Sequence, residues 1–435
     1  MTGGASRSDV ESLVILLPVS VLVLGAALFS LKKSQAKYNF WVIVGGGAIT
    51  TLAASHVLPL PPFVWSALGE NTEILEIDNL AGLSGTWRPL TVSPIASWQA
   101  LIAIFTPIAI LILGVQLNHD NLVRLLPILI GLGMTSAVLG ILQIIGGAES
   151  PLYIYRITNN GSAVGLFANR NHSATLLSCL FPMLATFYLM NLDSIGRNLK
   201  NLFIVGIIGI VLVPLILVTG SRAGLLTAVM GLVGAAILFL QPVLVQNGGR
   251  AHNETPSSLT PIIIGLVVIC MAIVTMYYSR AEAIERLFAQ PSKMDNRSDF
   301  WQTSVTLAWT HFPFGSGSGA FAEAYRVAEY SQLLDATYLN RAHNDWIETA
   351  VSFGLPGLLL IVAGIILYFF RSLHLWRLHR EERESVNVAR MAGLSIAIIT
   401  ITSFVDYPLR TPIMMSVFAV LILWFFTNEE KCSNG

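Results

Sequence analysis

Charge is scarce in this chain. Asp, Glu, Lys and Arg make up only 11% of its 435 residues, whereas 54% are hydrophobic. That balance, with a mean hydropathy of +0.68, excludes an ordinary soluble globule. Cysteine is scarcer still: of three, Cys179 and Cys270 lie inside apolar runs and Cys432 in a polar tail. Neither a disulfide framework nor a Cys-rich metal site is therefore expected. The formal net charge is zero, so the total offers nothing toward nucleic acid, and none is expected as a partner. Also missing is a basic region ahead of the first apolar run, because Arg7 is offset by Asp9 and Glu11 and the Lys32–Lys33 pair comes after it. A cleaved signal peptide is not expected. No internal repeat, soluble terminal domain or tethering linker is visible, so residues 1–435 read as a single membrane domain.

What the chain does have is apolar runs long enough to cross a hydrocarbon core, which takes about 20 helical residues each. They fall near 11–31, 39–60, 98–117, 125–146, 172–191, 201–219, 223–245, 261–278, 346–370, 389–405 and 411–427. The expected fold is all-α: a polytopic bundle of about 11 transmembrane helices, embedded among membrane lipids. If the N-terminus lies outside, the inner segments hold thirteen of the 25 basic residues, the short outer segments six, and the long segment 279–345 the other six. The positive-inside rule then places segment 279–345 outside, since long loops translocate largely regardless of charge. Short half-polar helices are expected within it, in SRAEAIERLFAQ and in RSDFWQTSVTLAWTHFPF, lying on the membrane surface.

The residues suited to chemistry gather at the outer ends of the runs. RAHNDWIETAVSFGLPG, 341–357, places His343 where the polar segment meets an apolar helix, with Arg280, Arg286, Arg297, Arg326 and Arg341 in the same outer segment. An imidazole takes a proton near neutral pH, and guanidiniums grip oxyanions with two donors at once, so the set suits hydroxyl activation beside a phosphate. A helix start near Asn344 disfavours imidazolium, although Asp345 and Glu348 partly oppose that effect. A metal site of His343, Asp345 and Glu348 is a weaker reading, because the spacing gives no single helical face. Arg222 in VTGSRAGLLTAV separates two apolar runs with almost no loop, and at a helix start it can meet an anion; a snorkelling arginine is the bland alternative. FANRNHSA offers Arg170, Asn171 and His172 at another outer helix start, or simply a cap. Trp301 and Trp309 read as interfacial anchors, GSGSG as a turn, and Asp406 with Arg410 as an internal ion pair.

RAHNDWIETAVSFGLPG, preceded by HFPFGSGSGAF and GSRAG, resembles the O-antigen ligase and O-antigen polymerase superfamily over residues 165–357. One departure is Ser352, where an acidic residue before the Phe-Gly pair is common. The resemblance implies glycan transfer from an undecaprenyl-pyrophosphate donor on the periplasmic side of a bacterial inner membrane, with no cofactor and no metal. The acceptor hydroxyl would belong to lipid A core or to another glycan. Carried over residue by residue, His343 would activate the acceptor, Arg222 would bind the pyrophosphate, and Arg297 would be a second phosphate residue. Arg170 is a further candidate, with Asn344, Asp345, His172 and Arg341 supporting. The expected type is ligase, with polymerase as the alternative. A transporter or flippase of lipid-linked sugars is a rival of another class, and would need charged residues near the middle of several helices.

Overall fold

A computed structural model describes residues 3–7, 9–68, 72–190, 199–245, 297–329, 339–378 and 384–426. It is a polytopic bundle of helices. Ten of the eleven expected runs are apolar helices, here labelled α1 (Leu13–Ser30), α2 (Phe40–Ser55), α3 (Pro94–Gly114), α4 (Leu125–Ile145), α5 (Arg170–Met190), α6 (Leu199–Val218), α7 (Arg222–Val245), α8 (Asp345–Arg377), α9 (Glu384–Thr402) and α10 (Pro412–Phe426). The run expected at 261–278 and the helix expected at 279–290 lie outside the described residues. Seven of the ten are long and apolar enough to cross a membrane, while Phe40–Ser55, Ile204–Val218 and Pro412–Phe426 are shorter apolar stretches. Between α2 and α3 the chain makes a short antiparallel pairing of Pro59–Leu60 with Arg88–Pro89, closed by a two-pronged Arg88–Asp78 ion pair.

Helix α5 is the axis of the bundle, buried along nearly its whole length. Its packing against α7 depends on glycine. A Cβ at Gly224 would lie 2.5 Å from the Ala174 Cβ, and one at Gly231 would lie 2.4 Å from the Ser178 carbonyl oxygen. Removing both side chains brings the backbones together, as in small-residue helix pairs elsewhere in membranes. A hydroxyl contact of 3.0 Å between Ser178 and Thr227 fixes the register between the glycines. The close approach also brings the N-terminal starts of α5 and α7 side by side.

Helix α8 is broken at Gly354, whose backbone (φ 56°, ψ −142°) is not helical. The break frees the Val351 and Ser352 carbonyls, which accept the amide N–H groups of Ser316 (2.8 Å) and Gly317 (3.0 Å). Leu355 in turn donates to the Pro313 carbonyl at 2.8 Å. The segment Gly315-Ser-Gly-Ser-Gly319 is thus the partner of the break. Its three glycines all have positive φ, and a Cβ at Gly315 would press on the Ser352 carbonyl at 2.5 Å. Buried polar backbone must find partners, and here an irregular helix and an irregular turn satisfy each other. Leu307 of the helix Arg297–Thr310, Phe321 and Tyr325 of the helix Phe321–Ala328, and Val351 of α8 form one buried apolar cluster.

Candidate active site

The segment leading into α8 is held from several sides. Asn344 caps the helix, its Oδ1 accepting the backbone N–H of Trp346 (2.9 Å) and Ile347 (3.0 Å) while its amide donates to the Phe404 carbonyl. Such caps satisfy helix-start N–H groups that have no partner within the helix. One turn on, the fully buried Glu348 accepts from Arg341 Nη1 at 2.9 Å and from the Ala342 amide at 3.1 Å. Trp301 donates its indole N–H to the Ala342 carbonyl at 3.0 Å, so this tryptophan pins the segment and is more than the interfacial anchor its position suggests. Between these fixed points, His343 has φ +50°, unusual for a residue with a side chain. Such a conformation costs about 1–3 kcal/mol and persists where its surroundings over-determine it.

The imidazole so placed faces Asp406. His343 Nδ1 lies 3.6 Å from Asp406 Oδ1, and His172 Nε2 lies 3.7 Å from the same oxygen. Both are at ion-pair distance, a few tenths of an ångström outside hydrogen-bond length. The Tyr407 ring packs edgewise against each imidazole, with centroids 4.9 Å from His343 and 5.0 Å from His172. Asp406 is fully buried and also receives the amides of Asn171 and Asn169 and the Tyr407 backbone N–H. Burial alone would raise its carboxyl, but the two facing imidazoles outweigh that and hold it well below the usual carboxylate range. Burial and the neighbouring Asp406 charge push the Tyr407 phenol upward, so it stays a neutral hydroxyl, in contact with Asn169 and Ser6.

Asp406 and Arg410 do not form the expected ion pair. One turn of 3₁₀ helix, Pro408–Arg410, sends them to different neighbours: Asp406 turns to the start of α5, whereas Arg410 Nε meets Asp345 at 2.9 Å and Glu348 at 3.5 Å. Asp345 is held further by the Ser403 hydroxyl at 3.0 Å. His343, Asp345 and Glu348, weighed above as one metal-binding set, therefore diverge: the carboxylates turn to Arg341 and Arg410, the imidazole to Asp406.

The candidate phosphate residues stand at helix starts. Ser221 caps α7, accepting the Gly224 N–H at 2.8 Å and donating at 2.7 Å to Asn171 Oδ1, whose amide reaches Asp406. Arg222, the next residue, is exposed and opens α7 one position from that chain of bonds. Arg170 opens α5, with its Nη1 3.5 Å from the Ser162 hydroxyl. Arg297 opens the helix Arg297–Thr310. The N-terminal segment also enters the cluster: the Ser6 carbonyl accepts Arg341 Nη2 at 2.8 Å, and Gly4 donates to the Tyr155 hydroxyl at 2.6 Å. His343, His172, Asn344, Asp345 and Arg341 thus share one region. Asp406 and Tyr407 are the residues that sequence reasoning left without a functional role, and DYPLR, an acid and an aromatic in a turn between two apolar runs, was the signal available for them.

Comparison with known proteins agrees with the resemblance. Residues 207–362 match the O-antigen ligase family. The teichuronic acid biosynthesis protein TuaE of Bacillus subtilis (strain 168) is 25% identical over 265 residues, covering 58% of this chain and 49% of TuaE. The chain thus spans about half the length of the curated relative it matches.

Proposed function

We propose that this chain, whose residues 207–362 match the O-antigen ligase family, transfers a glycan from an undecaprenyl-pyrophosphate donor to an acceptor hydroxyl on the outer face of a bacterial inner membrane. The observation that carries this reading is the His343–Asp406 pair, formed where the start of α8 meets the turn before α10. With Nδ1 buried toward Asp406 and the side chain 30% exposed, the accessible edge of the His343 ring is the one bearing Nε2. Nε2 then accepts the acceptor's proton as its oxygen attacks the anomeric carbon, and the bond from that carbon to the pyrophosphate oxygen breaks. Asp406 stabilises the imidazolium, as carboxylates behind catalytic histidines do. The departing pyrophosphate needs fixed positive charge more than a proton, which Arg222, Arg297 and Arg170 are suited to supply. The residues named need no cofactor for this step.

The acceptor we favour is lipid A core, a ligase reaction. The relative's name, biosynthesis of teichuronic acid, favours a second reading in which another lipid-linked glycan accepts and a polymer grows. A flippase would place ionisable groups through the middle of several spans, whereas His343 and His172 sit at helix starts and Asp406 in the turn between α9 and α10. The test is transfer from purified undecaprenyl-pyrophosphate glycan in liposomes. His343→Ala should lower the rate about 10²–10⁴-fold, the usual range for a positioned acid–base group, with donor binding retained. Full activity in that variant would sink the base assignment.

A further inference from the structure

His343 is accessible from outside, but His172 is not. Its side chain is 1% exposed, walled by the edges of Tyr407 and Phe167, and neither ring nitrogen has a hydrogen-bond partner. It cannot touch a substrate. It does share with His343 a single oxygen, Asp406 Oδ1, at 3.7 and 3.6 Å. Neutral imidazole has two tautomers. With the proton on Nε2, His172 points an N–H at the carboxylate and leaves a bare lone pair at Nδ1. With the proton on Nδ1, it buries an N–H without an acceptor and faces a lone pair to an anion. Leaving a buried donor unmade and opposing two electron-rich atoms both cost free energy, so the first tautomer is preferred.

We infer that His172 is a positioning residue that turns an N–H toward Asp406 and so shares with His343 the one carboxylate oxygen that would hold a proton on that ring. The inference rests on the base reading of His343 proposed above. The physical reason is competition for one oxygen. A carboxylate already charged against a second N–H donor has less negative potential left for the imidazolium of the first. The other groups around Asp406 are neutral or turned elsewhere. Asn169 and Asn171 at the start of α5 donate amides, and Tyr407 is held neutral. Arg341, ahead of α8, and Arg410, in the same turn as Asp406, are both bound to Glu348.

The test reads His343 itself and needs no substrate. Diethylpyrocarbonate reacts with neutral imidazole, so the pH dependence of its addition to His343, followed by peptide mass spectrometry on the full chain in detergent, reports when that ring loses its proton. His172→Phe removes the donor and keeps an aromatic of similar shape; His172→Gln keeps an N–H near the place of Nε2. The labelling midpoint should rise by roughly 0.5–1 pH unit in His172→Phe and stay near the wild-type value in His172→Gln. Asp406→Asn, which removes the shared carboxylate, should move it the other way. If His172→Phe does not elute as folded protein, His172→Leu takes its place. An unchanged midpoint in the variant lacking the donor, or an equal rise in His172→Gln, overturns the inference. Its failure is distinct from failure of the base reading, which is decided separately by transfer activity in His343→Ala.

Discussion

At the scale of single residues, the site is built around an acid rather than a base. Asp406 collects donors from α5, from the segment before α8 and from its own turn, and without them its buried charge would be prohibitively expensive. Asp406→Asn keeps the shape but removes the charge that, in the proposed reaction, stabilises an imidazolium on His343. Transfer activity should fall about 10²–10⁴-fold with no comparable loss of donor binding. A pH effect on stability follows from the depressed carboxyl. A group held below its unfolded value contributes stability that is present above that value and is lost as pH falls through the depressed one. The difference in Tm between wild type and Asp406→Asn should therefore persist at pH 5 and shrink only below the ordinary carboxylate value of about 3.9. A difference that vanished already at pH 6 would show that the carboxyl is not held down by its imidazole neighbours.

At the scale of elements, irregular backbone does the placing. The break in α8 at Gly354 and the turn at Gly315–Gly319 hold each other, and α8 carries Asp345 and Glu348 on its first turn. Gly354→Ala would set a Cβ 2.1 Å from the Pro313 carbonyl at a φ of +56°, which no side chain adopts without strain. The expected outcome is a loss of ~2 kcal/mol or more, read as a lower Tm in detergent and a loss of transfer activity. A variant with wild-type Tm would mean that turn and break are not coupled. The GSGSG turn could be read from the sequence as a turn, but its partner could not. Two segments about forty residues apart meet only because Pro313 and Leu355 find each other in three dimensions. The same is true of Gly224 and Gly231, which look like ordinary small residues until α5 is laid against them.

At the scale of the whole molecule, the starts of α5, α7 and α8 and the turn before α10 converge in one region, which the positive-inside rule expects to face outward. Topology and site location therefore stand or fall together. Cysteine introduced at Val327, which is 91% exposed in the helix Phe321–Ala328, should be labelled by an impermeant maleimide on intact spheroplasts. One at Glu384, which opens α9, should be labelled only after the membrane is made permeable. Labelling of position 384 from outside would reverse the orientation and with it the face on which donor and acceptor meet.

The sequence by itself determined that this is a helical membrane protein, where ten of its apolar helices run, and that His343 stands at the start of one of them. These properties depend on local patterns: the length of an apolar run, a cap at Asn344, a histidine beside it. Tertiary structure alone decided which groups the histidine faces. Asp406 and Arg410 are four residues apart and of opposite charge, so local reasoning paired them, yet each binds a different helix. His172 and His343 are separated by 171 positions and meet over one carboxylate oxygen. A buried charge takes the partners that packing delivers, and the packing of α5 between α7 and α9 is a sum over many weak contacts that no short stretch of sequence encodes.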